Sequence, residues 1–262
     1  MIKRAIHLLA LLIVCATPAR ADWRDSLTTT RGSFPALRPF HAHYRFGWTM
    51  FPAAEADFTM TRMKGGITRL AATSKSIGVV RTSWKMDSDS VSTMRTATLR
   101  PIALTQTEIY RTESEKTHVD YTDTGVTRLR ISKPVNSKPR PKKFDFPLVH
   151  DLQSAVHFIR SQRLADGDAY EVVVYPSVDP YLARIEVEGR TEMKIAGARQ
   201  KVIKLDLKLS KINKDLELEN HEKFKRATIF LGDDADRMLL RIEGELTVGS
   251  VWCELEKVEW AK

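Results

Sequence analysis

Residues 40–48 read FHAHYRFGW, and the pattern of this stretch decides the fold of the 262-residue chain. Every second position is apolar, and the positions between them are mostly polar or charged. Side chains alternate between the two faces of a β-strand, so a period of two is typical of a strand with one buried face. The stretch therefore predicts a strand whose inward face carries Phe40, Ala42, Tyr44, Phe46 and Trp48.

The same alternation recurs along the chain. It predicts strands through Val80, Thr82, Trp84 and Met86, through residues 203–209, and through residues 238–248. Turn-forming residues separate the predicted strands at intervals short enough for hairpins, which favours antiparallel pairing. These are Gly65-Gly66, Asp123-Thr124-Gly125, Gly189, Gly197, Asn213-Lys214 and Gly249-Ser250.

One segment follows a helical period instead. Residues 151–163 place apolar side chains at Leu152, Ala155, Val156 and Ile159, and Asp151 is positioned to cap the first turn. A single amphipathic helix in a chain of strands is best used to cover the apolar face of a sheet. We expect a mainly β fold: a curved antiparallel sheet, as a half-barrel or open barrel, covered by one helix around 151–163.

The domain organisation follows from this reading. We expect residues 22–262 to form a single β-rich domain with two β lobes, about 22–132 and 164–262. A basic, proline-rich loop (133–143) and the helix would join the lobes. With 42% hydrophobic and 29% charged residues, a chain of this length can bury a sizeable core.

The first 21 residues have the features of a secretory signal peptide. Lys3 and Arg4 precede an apolar run, and the small-residue motif Ala19-Arg20-Ala21 follows it, which predicts export with cleavage after Ala21. A lipoprotein signal using Cys15 is the alternative, but Val14 stands where lipidation requires a small residue. No later stretch reaches the ~20 apolar residues of a spanning helix.

Positive charge is concentrated in the N-terminal half. Residues 22–150 carry 21 basic and 12 acidic side chains, whereas residues 151–262 carry 18 and 21. The basic segment, residues 133–143, contains three prolines and no acid; its candidate contact residues are Lys138, Arg140, Lys142 and Lys143. It is either a solvated connector or a contact for an anionic membrane or glycan surface. Nucleic acid is not expected as a partner, because the segment lacks interleaved aromatic residues.

Catalytic and metal chemistry find little support. His41 and His43 share a strand face but lack further ligands nearby in sequence. The Asp233, Asp234, Asp236 group covers only part of a calcium loop. Ser154 lacks the strained turn of a serine nucleophile, so we predict no catalytic residue, no metal and no cofactor.

Several short segments together carry a family resemblance: Tyr44-Arg45-Phe46-Gly47-Trp48, Asp151-Leu152-Gln153-Ser154, Leu164-Ala165-Asp166-Gly167, Ile195-Ala196-Gly197 and Phe230-Leu231-Gly232-Asp233-Asp234. By their order and spacing over residues 40–255, the chain resembles the family designated domain of unknown function 3108. That resemblance implies a β-rich protein in the periplasm of Gram-negative bacteria and no particular reaction. A weaker similarity to lipoprotein-carrier half-barrels implies a concave sheet that binds acyl chains beneath helices.

Apolar binding is the favoured function. Large side chains cluster in the N-terminal strands and would line an apolar trough if the sheet is open: Tyr44, Phe46, Trp48, Phe58, Met60, Trp84 and Met86. The prediction is an exported, periplasmic, non-enzymatic protein that binds a hydrophobic or lipid-like envelope ligand. An envelope scaffold with a filled core and no ligand is the first alternative, and an envelope hydrolase is the second.

Overall fold

The computed structural model describes residues 22–34, 38–134, 138–220 and 224–261, so the predicted signal peptide lies outside the described residues. Within them the chain is mainly β, as predicted. The strands are β1 (Phe40–Trp48), β2 (Phe51–Met63), β3 (Ile67–Ser76), β4 (Met86–Arg95), β5 (Pro101–Tyr110), β6 (Ser114–Tyr121), β7 (Val126–Lys133), β8 (Lys142–Phe144), β9 (Val149–His150), β10 (Ala169–Val174), β11 (Tyr181–Ile195), β12 (Ala198–Ile212), β13 (Leu218–Asn220), β14 (Phe224–Gly232), β15 (Leu239–Leu246) and β16 (Ser250–Trp260).

All the strands belong to one sheet. Its order is β8-β7-β6-β5-β4-β3-β2-β1-β16-β15-β14-β12-β11-β10-β9, with β13 paired to β12. The first and last strands of the sequence, β1 and β16, therefore pair at its centre. Neighbours are antiparallel except for β9 and β10, so the predicted open antiparallel sheet is confirmed.

The central strand β1 has the inward face that its sequence predicts over most of its length. Phe40, Ala42 and Tyr44 are buried, whereas Trp48 at the end of the strand is half exposed. The ring of Trp252 on β16 lies directly over Gly47, so a side chain at that position would collide with it. A glycine is needed here because an aromatic ring from the paired strand occupies the space of its side chain.

The sheet curls until its two edges approach each other. The edge strands β8 and β9 are joined by only four residues, 145–148. Among the described residues no backbone ladder links these edges, and side chains close the seam instead. The Tyr121 hydroxyl donates to the Tyr175 carbonyl over 2.7 Å, and the rings of Phe144 and Tyr175 stack 6.3 Å apart. The result is a barrel-like sheet without a closed ladder.

Within the residues that the structure describes, two helices accompany the sheet: α1 (Gly78–Ser83) and α2 (Leu152–Arg160), with a short 3-10 helix at Trp23–Ser26. In the part of the chain described, neither has the length and apolar composition needed to cross a membrane. Helix α2 packs on β4, β9 and β10 and lies within the predicted 151–163 range. Phe158, Ala155 and Ile159 form the apolar part of its buried face.

Three sequence predictions about local structure are wrong. Residues 78–83 form helix α1 instead of a strand, so the alternation through Val80 and Thr82 is coincidental. Leu152 is 60% exposed and does not belong to the buried face of α2. Gly189 lies at a bulge within β11 instead of at a turn.

Candidate functional site

A cavity of about 420 Å³ lies between helix α2 and the concave face of the sheet, and we call it the helix cavity. The aromatic wall comes from β1 and β2, the adjoining wall comes from the neighbouring strands β15 and β16, and α2 forms the roof. The aromatic wall contains Phe40, Tyr44, Phe46 and Phe58; the adjoining wall contains Leu239, Ile242 and Cys253; the roof contains Leu152, Gln153, Val156, His157 and Arg160.

Small side chains on β3 and β4 make room for the helix cavity. Ala72 pairs with Ser90 and Ser74 pairs with Ser88 across the two strands, and all four residues line the cavity. The next residue in the first row is Phe58 on β2, paired with Ala72. Because a large ring is followed by methyl and hydroxymethyl groups, the sheet surface recedes beneath the helix. The hydroxyls also give this part of the cavity a polar lining.

The N-terminus of the roof helix is fixed by Asp151. Its carboxylate accepts hydrogen bonds from the backbone amides of Gln153 at 2.8 Å and Ser154 at 2.9 Å, as an N-cap does. Ser92 on β4 donates to the other oxygen over 2.8 Å, which ties the helix to the sheet. Burial raises the pKa of Asp151 above its ordinary value, and these hydrogen bonds act in the opposite direction.

The C-terminus of the helix is fixed by Arg237. Its guanidinium donates to the carbonyl oxygens of Arg160, Gln162 and Arg163 and stacks 3.1 Å from the centre of the Phe34 ring. Arg160 is the last residue of α2 and Gln162 and Arg163 follow it, so a cation here pairs with carbonyls at and just beyond the helix end and complements the helix dipole. The Asp234 carboxylate shapes the loop by accepting from the backbone amides of Asp236 and Arg237.

Two polar residues of the roof are buried. Arg160 Nη1 lies 3.0 Å from His157 Nδ1, and Arg160 Nη2 donates to the Asp236 carbonyl over 2.6 Å. Burial lowers the pKa of Arg160 to about 10, so its guanidinium stays charged at neutral pH. Burial, with Arg160 beside it, lowers the pKa of His157 well below its ordinary value, so the imidazole is neutral. The cavity thus has an apolar half, a cationic edge at Arg160 and the buried carboxyl of Asp151 at the helix N-terminus.

The structure places the seven predicted trough residues in different environments. Tyr44, Phe46 and Phe58 line the helix cavity, and Met60 is buried in the core beside it. The prediction that Trp48 and Trp84 face inward is wrong, since they are 50% and 52% exposed. Trp48 ends β1, and Trp84 follows helix α1. Half-buried Met86 begins β4 outside the cavity lining.

The basic segment is away from the helix cavity. Lys138, Arg140, Lys142 and Lys143 are all exposed and none lines the cavity. The segment is not entirely a loop as predicted, because Lys142 and Lys143 belong to edge strand β8, paired with Arg128 and Thr127. Charged lysines are typical of an edge strand because they oppose further strand addition. Residues 135–137 lie outside the described residues.

The histidines and the cysteine considered for metal binding or catalysis make structural contacts. His43 Nδ1 lies 3.0 Å from an oxygen of Asp57, a cross-strand neighbour, and His41 lies 3.5 Å from the same carboxylate. Within the described residues no group of three or more His, Cys, Asp or Glu is arranged to hold a metal. Burial raises the pKa of Cys253 to about 12, so its thiol stays protonated.

Sequence reasoning missed the polar lining of the helix cavity. Gln153, His157 and Arg160 follow one another at spacings of four and three residues, which places them on one helix face. That spacing is visible in the sequence, but a polar stripe on a helix normally faces solvent. Ser88 and Ser90 give a weaker signal as alternate small residues in a strand.

Comparison with known proteins identifies relatives of this fold. A β-barrel-like protein of DUF1849 from Brucella abortus superposes with a TM-score of 0.57 at 9% identity, covering 87% of this chain and all of the other. A Bacteroides fragilis protein proposed to be exported, with a YmcC-like fold, gives a TM-score of 0.37 at 6% identity, covering 87% of this chain and 99% of the other. A proposed lipoprotein from Parabacteroides distasonis gives 0.35 at 8% identity, covering 88% and 100%.

A search of curated proteins found no match. The Brucella structure agrees with the barrel-like sheet described above and shows similarity of fold alone. A family model supplies the assignment, since it matches residues 40–256, from the first residue of β1 to within four residues of the end of β16. The chain belongs to the family of proteins of unknown function designated DUF3108.

Proposed function

We propose that this chain is an exported, periplasmic, non-enzymatic protein that binds a hydrophobic or lipid-like envelope ligand in the helix cavity. The observation that carries the proposal is the unfilled space of about 420 Å³ beneath α2. A scaffold with a filled core would have no such space. The volume falls within the range of about 300–1,000 Å³ that is typical of small-molecule sites.

The lining suits a hydrocarbon chain. Tyr44, Phe46 and Phe58 line the cavity together with Leu239 and Ile242. Transfer of hydrocarbon from water into such surroundings contributes about 0.8 kcal/mol per methylene. Ten buried methylenes would contribute roughly 8 kcal/mol before the costs of association, enough for useful affinity without any specific polar contact.

The basic segment supplies a second part of the proposal. Exposed Lys138, Arg140, Lys142 and Lys143 would contact an anionic membrane or glycan surface. Each such cation near an anionic bilayer contributes about 1 kcal/mol, and salt screens the attraction. This contact would hold the protein near the source of its hydrophobic ligand without taking part in the helix cavity.

The test is ligand uptake by the purified protein. Native mass spectrometry should detect copurified lipid, and a fluorescent fatty acid should be taken up with saturable affinity. Ser74→Leu places a larger side chain in the helix cavity and should reduce uptake at least about tenfold. Thr73→Leu is the matched control, because Thr73 is exposed on the opposite face of β3.

Further outcomes separate the alternatives. Trp84→Glu should leave uptake unchanged, since Trp84 lies outside the helix cavity. A clean apoprotein mass with no uptake of the fluorescent probe would contradict ligand binding and favour the scaffold. Turnover of an ester or glycan panel that is lost on substitution of a carboxylate, serine or histidine would contradict the non-enzymatic part of the proposal.

A further inference from the structure

The roof of the helix cavity contains buried polar atoms without hydrogen-bond partners. Among the described residues these include Gln153 Oε1, His157 Nε2 and Arg160 Nε, and all three side chains line the cavity. Buried polar atoms in native proteins are nearly always paired. His157 Nε2 and Arg160 Nε belong to side chains three residues apart on one helix face, both of which line the cavity, so this pair points to a missing partner.

The chemistry of the missing partner follows from the contact between Arg160 and His157. A guanidinium only donates hydrogen bonds, so His157 Nδ1, 3.0 Å from Arg160 Nη1, must accept. A neutral imidazole has one acceptor nitrogen and one N–H donor, which places the proton of His157 on Nε2. The two unpaired nitrogens, His157 Nε2 and Arg160 Nε, are therefore both donors, and their partner must be an acceptor.

The charges around Arg160 indicate which kind of hydrogen-bond acceptor would bind there. The hydrogen bonds of Arg160 go to a neutral imidazole and to a backbone carbonyl. The nearby carboxylates are engaged elsewhere, because Asp236 pairs with Arg38 and Asp234 accepts from backbone amides. Asp151 is held by its N-cap bonds and by Ser92. A buried cation without an anionic partner is costly, so an anionic acceptor would stabilise this end of the cavity most.

We propose that the helix cavity takes a single-chain amphiphile with an anionic head group, a carboxylate or a phosphate, bound by Arg160 and His157. The hydrocarbon chain would lie along Tyr44, Phe46 and Phe58. This inference rests on the proposed function and specifies the ligand class for the same site. Gln153 is an acceptor through Oε1, and its amide nitrogen faces Ser90 Oγ at 3.3 Å, so it takes no part in binding the head group.

The test compares ligands that share a chain and differ in the head group: dodecanoate, dodecanol, methyl dodecanoate and dodecyl phosphate. Dodecanoate or dodecyl phosphate should bind the wild-type protein at least about tenfold more tightly than dodecanol or the methyl ester. Whichever anion binds more tightly identifies the head group. Because this comparison needs no variant, it tests the proposal even where a substitution prevents folding.

Substitutions then locate the head group. Arg160→Met and His157→Leu should each lower affinity for the anions about tenfold while leaving affinity for dodecanol unchanged. His150→Leu is the matched control, because His150 is equally buried beside α2 but does not line the helix cavity. Equal binding of all four ligands would overturn the head-group inference and leave the proposed function intact. Binding of none would refute the proposed function itself.

Discussion

Acid should destabilise the fold through a buried histidine at the start of the roof helix. His150 is 2% exposed, with its ring 4.7 Å from the Phe158 ring and Nδ1 3.3 Å from Ser154 Oγ. Burial, with a further contribution from Arg100, lowers the pKa of His150 to about 3. The folded protein therefore keeps the imidazole neutral at pH values where the unfolded chain, with a pKa of 6.5, takes up a proton.

The size of this effect follows from the two pKa values. A group whose pKa is depressed on folding contributes stability above its unfolded pKa and loses it as the pH falls towards its folded pKa. Between about pH 7 and pH 4.5 the unfolded His150 gains about three-quarters of a proton and the folded one almost none, which costs about 2 to 3 kcal/mol of unfolding free energy. His157 acts in the same direction, and Asp151, with its raised pKa, acts in the opposite one.

A variant isolates the contribution of His150. Urea unfolding followed by tryptophan fluorescence should be measured at both pH values for wild type and His150→Gln. The wild type should lose about 2 to 3 kcal/mol more than the variant on acidification, whatever their difference at neutral pH. His118→Gln, at an exposed position on β6, should follow the wild-type behaviour. Equal acid losses in wild type and His150→Gln would refute the reasoning, because they would show that folding does not keep this histidine neutral.

Three further substitutions test how the roof helix is held, each by urea unfolding. Phe158→Ala should lower the unfolding free energy by about 3 to 5 kcal/mol, because it empties a fully buried site; Leu152→Ala, at an exposed position of the same helix, should cost less than about 0.5 kcal/mol, and a similar loss in both would contradict the assigned buried face. Asp151→Ala should cost about 1 to 2 kcal/mol through the lost N-cap, and an unchanged stability would exclude that role. Arg237→Met should cost about 2 kcal/mol because it leaves the carbonyls at and just beyond the helix end unpaired, whereas Arg163→Met, exposed in the same region, should cost much less.

The sheet could be predicted from the sequence because its strands repeat a simple pattern. Phe40, Ala42 and Tyr44 alternate with polar residues, and one buried face imposes that period. The segment containing Trp84 shows where the pattern fails. A six-residue helix offers fewer than two turns, too few for a period of 3.6 to be distinguished from a period of two. Trp84 directly follows this helix, so the prediction that it faces inward fails with the predicted strand.

The helix cavity was predicted only in part, for a different physical reason. Aromatic residues such as Tyr44 and Phe58 are easily recognised in the sequence as candidate lining residues because they are large. The space of the helix cavity is made by Ala72, Ser74 and Ser90, which are small. A hydrophobic pattern identifies the large side chains that fill a core. It does not identify the small side chains that leave a cavity. The cavity can be recognised only once the cross-strand register is known, because that register places the small residues together beneath the helix.

Two of the five segments that carry the family resemblance contribute to holding the roof helix in place. Asp151 begins the motif at its N-terminus and joins it to β4 through Ser92. The loop that follows Gly232 folds around Asp234 and presents Arg237 to the carbonyls at the other end of the helix. Both contacts are made by buried or half-buried polar groups, which cost stability unless their geometry is kept. A chain that served only to fill its core could hold this helix with apolar contacts alone. Polar clamps at both ends instead fix its height above the sheet, and that height determines the volume of the helix cavity.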